Sequence, residues 1–399
     1  MTVASGAKRV RVLIVPGFAA DTYCEIERSF VELSASAGEG IDVLWLVPTI
    51  SSKHNVYAKR GDRPQLTEPL YVSHLRSAGV AYVEANISKF NPWKNFRLFR
   101  NVFDSHSIDV VYTHFGFERF WAALFAKWFG KIVVWNEHWH SLGMRFSVLK
   151  RIFYAFFIDE FVAVSSFIAS TLPRNVPVHI VPNAIGRQRL PDIDGAAQRD
   201  VRKLMGIASN KIVVLMVAAF RHEKRHDLAL EVCRKVFERR DDVVFIFLGD
   251  GPLRRQFVDQ VGAYGWRQKV FAPGYRETVD DYYAAADIFM LTSINEPFGY
   301  VVLEAMRNGL PVIAFRSGGP ADVVEDGKTG YLAEAAVSKE FGDWLMELIE
   351  HPELRQTMGL QGQSLVRSKY DRALWVRRIR QILRDAAAND KRSVELLAQ

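Results

Sequence analysis

Cysteine is scarce in this sequence. Its 399 residues include two cysteines, Cys24 and Cys233, which lie far apart and form no paired spacing of the kind that holds zinc or acts as a redox dithiol. A disulfide-stapled extracellular scaffold is therefore excluded, and a reducing compartment is favoured.

Long apolar runs are missing as well. The most apolar stretch, residues 152–168, contains Asp159 and Glu160 and is shorter than the ~20 residues that a helix needs to cross a bilayer. No apolar segment typical of a secretion signal follows the start of the chain. We therefore expect a cytoplasmic protein that at most touches the inner membrane face peripherally.

The composition is that of a globular protein, with 49% hydrophobic and 24% charged residues. A chain of this length suits two domains better than one core. The formal net charge of +7 weakly favours an anionic partner. We do not expect nucleic acid as that partner, because no recognised nucleic-acid-binding motif accompanies the basic residues.

Short apolar segments alternate with helical segments along most of the chain. This alternation predicts an α/β protein built on doubly wound parallel sheets, whose ligands bind at the carboxyl ends of the strands. The principal segments predicted as strands are residues 9–15, 42–47, 109–113, 131–135, 178–181, 211–219, 243–248, 286–291 and 310–315.

Residues 293–306 are the most informative stretch. A predicted strand precedes them, and a helix predicted over residues 301–307 closes at Asn308 and Gly309, a pair that commonly ends helices. Pro297 is expected in the first turn, where proline is tolerated. Unpaired amides at the positive end of this helix would form an anion site. Those amides are expected at Phe298, Gly299 and Tyr300.

Two glutamates flank this predicted anion site. Glu296 stands just before it, and Glu304 lies one helical turn beyond Tyr300 on the same face. One carboxylate could then reach a polyhydroxyl group beside a phosphate and the other a ribose, as a nucleotide-sugar would require. The alternative is that Glu296 caps the helix and Glu304 is solvated. A second strand-to-helix turn at residues 310–320 favours the ligand site.

A resemblance to a known family rests on the same residues. Glu296, seven intervening residues and Glu304 stand inside EPFGYVVLEAMRNGLPVIAFRSGGPADVVEDGKTGYL, residues 296–332. This segment resembles the donor-site signature of the retaining family 4 glycosyltransferases of GT-B fold. The resemblance implies two Rossmann-like domains facing a cleft. We expect an acceptor-side domain over residues 1–185, a nucleotide-sugar-binding domain over 186–370, and a helix over 371–399 that returns to the first domain.

The resemblance also implies roles for single residues. Glu296 would orient the sugar and Glu304 the ribose, while His138 would contact a hydroxyl of the reacting sugar. Lys224 and Arg221 would bind the diphosphate. Many family members place this arginine five residues before the lysine, where this sequence has Ala219. A solvated basic turn is the alternative for the two cations.

Backbone contacts are implied at two further places. The loop at Gly17 would approach the donor phosphates, although many members have two glycines there, and an ordinary turn remains the alternative. The backbone at Tyr275 and Arg276 would pair with the nucleobase. Three histidines, His114, His138 and His140, could also suggest a metal site, but no matching ligand spacing accompanies them. We expect no metal and no cofactor.

Residues 86–103 combine aromatic and basic side chains. A helix is predicted from the cap Asn91 and Pro92 onward. Such a helix can lie at an anionic membrane surface or hold a lipid-linked acceptor. The alternative is a core-facing helix with a solvated basic face. Its aromatic residues are Phe90, Trp93, Phe96 and Phe99, and its basic residues are Lys89, Lys94, Arg97 and Arg100.

The reaction implied by the resemblance is transfer of a hexose, with retention, from a UDP- or GDP-linked sugar to a saccharide or lipid-linked saccharide. Synthesis of cell-surface polysaccharide or glycolipid would use such a step. Two alternatives stay open at this point. One is another GT-B enzyme, such as a nucleotide-sugar epimerase or a phosphorylase, and the other is a non-catalytic nucleotide-sugar-binding protein.

Overall fold

A computed structural model describes residues 9–17, 24–35, 40–49, 68–139, 147–186, 201–276 and 278–397. The chain divides into two compact units. Unit 1 combines Met1–Gly186 with Arg372–Gln399, and unit 2 is Arg187–Asp371.

The described part of unit 1 is built on a seven-stranded sheet. The strands are β1 (Val10–Val15), β2 (Ile41–Pro48), β3 (Ala81–Ala85), β4 (Val110–Thr113), β5 (Ile132–Glu137), β6 (Glu160–Ala163) and β7 (Val178–Ile180). Their order is β3-β2-β1-β4-β5-β6-β7, and every neighbouring pair is parallel. The central strands are buried on both faces, so they consist of almost continuous apolar residues.

Helices cover both faces of this sheet. They are α1 (Glu25–Ala35), α2 (Leu70–Ser77), α3 (Pro92–His106), α4 (Glu118–Trp128), α5 (Ser147–Phe157) and α6 (Ser166–Ser170). On the face opposite α3 to α5, the core includes Phe30 of α1 and Trp375, whose rings lie 5.3 Å apart. Trp375 comes from a helix that follows unit 2 in the sequence, so the sheet of unit 1 is completed by a distant segment.

The described part of unit 2 has a six-stranded parallel sheet. Its strands are β8 (Ile212–Val217), β9 (Val243–Leu248), β10 (Val270–Gly274), β11 (Ile288–Leu291), β12 (Val312–Phe315) and β13 (Gly330–Ala333), in the order β10-β9-β8-β11-β12-β13. The helices are α7 (His226–Phe237), α8 (Arg254–Ala263), α9 (Asp280–Ala285), α10 (Tyr300–Arg307), α11 (Pro320–Val323), α12 (Ser338–Glu350) and α13 (Pro352–Lys369). Helix α14 (Arg372–Leu397) follows and belongs to unit 1.

The predicted α/β class and its two parallel sheets are confirmed. Proline at position 352 predicts a helix break, and α12 indeed ends at Glu350 while α13 begins at Pro352. Helix α14 runs from Arg372 to Leu397, within the range 371–399 where a helix was expected. The sequence also predicts a long polar loop at residues 51–67 and a linker between the domains at 185–195. The loop and most of the linker lie outside the described residues.

Within the described residues, no helix is both long and apolar enough to cross a bilayer.

Candidate functional site

The loops that follow β11 and β12 are joined through their backbones. Glu296 and Gly318 form an isolated parallel β-bridge, and the amide of Gly319 donates to the carbonyl of Glu296 at 2.7 Å. The amide of Asn295 donates to the hydroxyl of Ser317 at 3.0 Å. The backbone position of Glu296 is therefore fixed by the loop that follows the neighbouring strand β12.

Glycine is required at this junction. Gly318 has φ +78°, and a Cβ there would lie 2.2 Å from the carbonyl oxygen of Glu296. A Cβ at Gly319 would lie 2.3 Å from the Cα of Phe298. Side chains at these two positions would push the Glu296 loop away from its place.

The carboxylate of Glu296 forms an ion pair with Lys224, and both side chains are largely buried. Lys224 ends a 3₁₀ turn (His222–Lys224) beyond β8. Two hydrogen bonds tie this turn to the segment after β11. Thr292 donates from its hydroxyl to the carbonyl of Lys224 at 2.9 Å, and the amide of Ile294 donates to the carbonyl of Glu223 at 3.0 Å.

Three other predicted donor-site residues of unit 2 are more exposed than this pair. Arg221 precedes the 3₁₀ turn and accepts a hydrogen bond from the amide of Lys224 through its carbonyl at 3.1 Å. Tyr275 and Arg276 follow β10, where the guanidinium of Arg276 donates to the carbonyl of Tyr275 at 2.9 Å and to the hydroxyl of Tyr282 at 3.2 Å. All three predicted side chains are accessible to a ligand.

Helix α10 begins one residue before its predicted range of 301–307, but its first turn does not include Pro297. Gly299 is the N-cap with φ +89°, and the first helical residue is Tyr300. Pro297 therefore lies outside the first turn, and the amides of Phe298 and Gly299 precede the helix. The left-handed conformation of Gly299 ends the loop at this point, a geometry that only glycine adopts readily.

Glu304 is held from the neighbouring helix α9. The hydroxyl of the buried Tyr283 lies 2.8 Å from the carboxylate of Glu304 and donates to it. Burial, and secondly the charge of Glu304, raise the pKa of Tyr283 well above its ordinary value. The phenol therefore keeps its proton and remains a donor to Glu304 at neutral pH.

In unit 1, two histidines meet where β4 and β5 end. His114 follows β4 and His138 follows β5, and their ring centroids lie 4.1 Å apart. Phe115 lies 4.9 Å from the ring of His138. Burial is the main cause that lowers the pKa of His138 to about 3, since Glu137 and Arg119 act in opposite directions. Its imidazole is therefore neutral at physiological pH.

The ring nitrogen Nε2 of His138 is buried and has no hydrogen-bond partner among the described residues. A buried polar atom without a partner is costly, so it is a natural place for a ligand hydroxyl to bind. His140, the third histidine of the predicted group, lies outside the described residues.

A buried carboxylate next to His138 escaped the sequence analysis. Glu137 accepts a hydrogen bond from the hydroxyl of Tyr154 at 2.6 Å and lies 3.4 Å from the guanidinium of Arg119. The ammonium of Lys150 is 3.6 Å away. Burial alone would raise the pKa of Glu137, but Arg119 and Lys150 hold that pKa below its ordinary value. This cluster of charged side chains fixes the end of β5, which His138 directly follows.

Gly17 lies beside the same histidines. It has φ +56°, and a Cβ there would stand 2.0 Å from the carbonyl oxygen of Phe115. The amide of His114 donates to the carbonyl of Val15 at 3.1 Å. The turn after β1 and the turn after β4 are therefore in direct contact, which requires glycine at position 17.

Among the described residues, no three His, Cys, Asp or Glu side chains are grouped closely enough to hold a metal ion.

Comparisons with known proteins give consistent results. The chain is 28% identical over 191 residues to N-acetyl-alpha-D-glucosaminyl L-malate synthase of Bacillus anthracis, which covers 48% of this chain and 50% of that protein. It is 29% identical over 189 residues to the alpha-D-kanosaminyltransferase of Streptomyces kanamyceticus, covering 47% and 49%. The chain thus matches about half the length of these curated relatives.

A solved structure extends the likeness over the whole fold. The crystal structure of Anabaena HepE in complex with UDP matches with a TM-score of 0.74 and 17% identity, covering 94% of this chain and 100% of that one. The model of the family described as Glycosyltransferase Family 4 matches residues 36–189. That of Glycosyl transferases group 1 matches residues 198–365. Because these two matches together span most of both units, the chain belongs to the family 4 glycosyltransferases of GT-B fold.

Proposed function

We propose that this protein is a retaining glycosyltransferase that moves a hexose from a UDP- or GDP-linked sugar to a saccharide or lipid-linked saccharide. The bond between the anomeric carbon and the diphosphate oxygen breaks, and its electron pair leaves on the diphosphate. A hydroxyl oxygen of the acceptor forms the new bond, and its proton passes to the departing diphosphate. The observation that carries the proposal is the Lys224–Glu296 ion pair at the carboxyl edge of the sheet of unit 2.

The diphosphate is the group that this edge must stabilise. Lys224 supplies a positive charge, and the exposed guanidinium of Arg221 can form two parallel hydrogen bonds to phosphate oxygens. Fixed cations aimed at a departing anion are among the largest contributions to catalysis. We propose that these groups act without a divalent cation, so that transfer persists in a chelator.

The two carboxylates bind the hydroxyl groups of the donor. Glu296 is fixed through Gly318 and Gly319 and orients the transferred sugar. Glu304 binds the ribose hydroxyls, and the hydrogen bond from Tyr283 keeps its carboxylate in one orientation. The nucleobase pairs with the backbone after β10, at Tyr275 and Arg276. HepE, which has the same fold, was crystallised with UDP, and this supports a nucleotide-sugar donor.

His138 contacts the transferred sugar in this proposal. Its neutral imidazole has an available Nε2 atom, which can exchange a hydrogen bond with a sugar hydroxyl. The turn at Gly17, which contacts the backbone of Phe115, approaches the donor phosphates in this proposal. Unit 1 thus supplies one group for the sugar and one for the phosphates.

We propose that the acceptor is membrane-linked and that the enzyme serves polysaccharide or glycolipid synthesis. Helix α3 supports this proposal because Lys94, Arg97 and Arg100 are all exposed. One side of this helix faces the core and the other side is exposed. Phe99 is fully buried in the core, whereas Trp93 is 74% exposed.

A thermal-shift titration with UDP, GDP, ADP and CMP tests the donor site. Binding to the folded state raises the unfolding midpoint. We expect one diphosphate to stabilise the wild type and not Lys224→Ala. Lys328→Ala, which removes an exposed lysine of the same unit, should respond like the wild type. If none of the four nucleotides stabilised the wild type, the proposal would be contradicted.

Retention is tested on the product of the matching nucleotide-sugar. The proton coupling at the anomeric carbon of the product must report the same configuration as the donor. Inversion would contradict the proposed stereochemistry, and turnover of the donor to its epimer without an acceptor would point to an epimerase.

A further inference from the structure

Helices α3, α4 and α5 form one layer on the sheet of unit 1, with α4 in the middle. The ring of Phe96 in α3 lies 5.7 Å from that of Phe125 in α4. On the other side of α4, the ring of Phe120 lies 5.3 Å from that of Phe153 in α5. Their inner faces pack on the sheet, as Phe120 does on Trp135 at 5.2 Å.

The outer face of α5 is apolar and accessible. Its exposed hydrophobic residues have relative exposures between 49% and 72% and recur at helical spacing, so they share one side of the helix. They are Val148, Leu149, Ile152 and Phe156. The opposite side of α5 already packs on the core through Phe153 and Tyr154. Four hydrophobic side chains left accessible on one helix mark an interaction surface.

Aromatic residues continue this surface onto the other two helices. Phe90 is 85% exposed, and Trp93 and Trp128 are each 74% exposed. Phe96 connects them, because its ring lies 6.4 Å from that of Trp93 and 6.3 Å from that of Trp128. Tryptophan is one of the side chains that are enriched at the boundary between lipid and water.

The charges on this layer are mostly of one sign. Lys89 lies with its ammonium 5.5 Å from the ring of Phe90. The exposed basic side chains of the three helices are Lys94, Arg97, Arg100 and Arg151. Among the described residues of these helices, Asp104 is the one exposed acid, and it is 3.6 Å from Arg100. An anionic surface complements this pattern, whereas two copies of a basic surface repel each other.

We infer that the outer surface of α3, α4 and α5, named here the aromatic-basic face, docks on an anionic lipid bilayer. The apolar side of α5 and the exposed tryptophans enter the boundary region, and the basic side chains contact the lipid headgroups. The idea that this surface gives access to a lipid-linked acceptor rests on the proposed function. Binding itself requires neither donor nor acceptor.

Vesicle co-sedimentation tests the inference with the full chain. The vesicles contain equal parts of phosphatidylglycerol and phosphatidylcholine, and pure phosphatidylcholine is the uncharged comparison. We expect the wild type to bind the anionic vesicles at least tenfold better than the neutral ones. The triple variant Leu149→Ser, Ile152→Ser, Phe156→Ser should lose at least tenfold in partitioning. Added salt should weaken wild-type binding.

The matched control removes equally exposed hydrophobic residues from unit 2. The variant Leu204→Ser, Tyr264→Ser, Leu360→Ser changes three exposed side chains there and should bind vesicles like the wild type. A UDP thermal shift equal to that of the wild type verifies that the α5 variant is folded. If UDP stabilises no variant, circular dichroism serves as the folding control, and the vesicle result is independent of the donor site.

Two results would overturn the inference. One is vesicle binding by the α5 variant equal to that of the wild type. The other is a wild type that does not bind vesicles but forms dimers, together with an α5 variant that does not dimerise. That outcome would make this face a contact between copies of the chain.

Discussion

Lys224 and Glu296 lie 72 residues apart in the sequence and form an ion pair at the carboxyl edge of the sheet of unit 2. The cation proposed for the diphosphate and the carboxylate proposed for the sugar thus neutralise each other. We predict that a bound diphosphate competes with Glu296 for Lys224. On this hypothesis, donor binding rearranges the pair and releases the carboxylate for the sugar hydroxyls.

We predict that Glu296→Gln separates binding from turnover. Without the competing carboxylate, Lys224 should bind the nucleoside diphosphate as well as in the wild type or up to ~10-fold more tightly, since a charge-assisted contact no longer opposes it. Turnover should fall roughly 100-fold or more, the scale for losing one group that stabilises the transition state. Calorimetry and initial rates measure the two effects.

The control for this variant is Glu325→Gln, which removes the carboxylate of the exposed Lys369–Glu325 pair of the same unit. It should change neither quantity. Weaker diphosphate binding by Glu296→Gln would show that the carboxylate supports the site rather than competing for Lys224.

Tyr283→Phe should weaken nucleotide binding through Glu304. The variant removes one hydrogen bond to the carboxylate, which then turns more freely. We expect ~3- to 10-fold weaker binding of the nucleoside diphosphate, the scale of one such bond at a partly exposed group. Inorganic pyrophosphate lacks the ribose and should bind equally well to both proteins. An equal loss for both ligands would assign Tyr283 a role in the fold instead.

Gly318→Ala should damage both stability and turnover because a Cβ at this position collides with Glu296. Gly327→Ala is the matched control. Gly327 has nearly the same φ, +73°, but no atom lies within 4 Å of its Cβ position. The control should cost about 1–2 kcal/mol of unfolding free energy from its backbone conformation alone. Gly318→Ala should cost at least ~2 kcal/mol more and reduce turnover, which the control should leave intact.

Denaturant unfolding measures the two free energies. Equal costs for both substitutions would mean that the close approach of Gly318 to Glu296 does not constrain the loop.

Acid should destabilise the protein partly through His226. This buried histidine stacks on Phe220 at 4.1 Å, and burial, with the charge of Lys224, lowers its pKa to about 4 against the opposing charge of Asp227. The unfolded state binds the proton more readily. The stabilisation is therefore complete above the unfolded pKa of 6.5 and is lost as the pH falls toward 4.

His226→Gln removes this titration. The free energy of unfolding of the wild type should fall relative to that of the variant by on the order of 3 kcal/mol between pH 7 and pH 4. Urea unfolding at several pH values measures the difference. Parallel curves for the two proteins would rule out a titration of His226 in this range.

The fold could be predicted from the sequence because parallel strands that are buried on both faces consist of continuous apolar runs. It also indicated Glu296 and Lys224 as separate candidates. That these two residues form an ion pair could not be predicted from the sequence, since the contact depends on how β8 and β11 lie side by side. Pro297 was wrongly expected in the first turn of α10, because the left-handed conformation of Gly299, which a proline pattern does not reveal, ends the preceding loop at the N-cap.

Other parts of the site arise from contacts distant in sequence. Glu137 stands next to His138, which was the available signal, but its partners Arg119 and Lys150 come from different helices. Gly318 and Gly319 lie in the strand-to-helix turn that the sequence predicts at residues 310–320. Their role in holding Glu296 could not be predicted, because it depends on distances between two loops.

Helix α14 sets the order in which the units can fold during synthesis. Trp375, Ile379 and Leu383 complete the core of unit 1, although the ribosome makes them after all of unit 2. Residues 187–371 can finish folding while α14 is still inside the ribosome. The opening half of the chain must meanwhile wait with an uncovered sheet face, so it is the nascent segment with the greatest need for a chaperone.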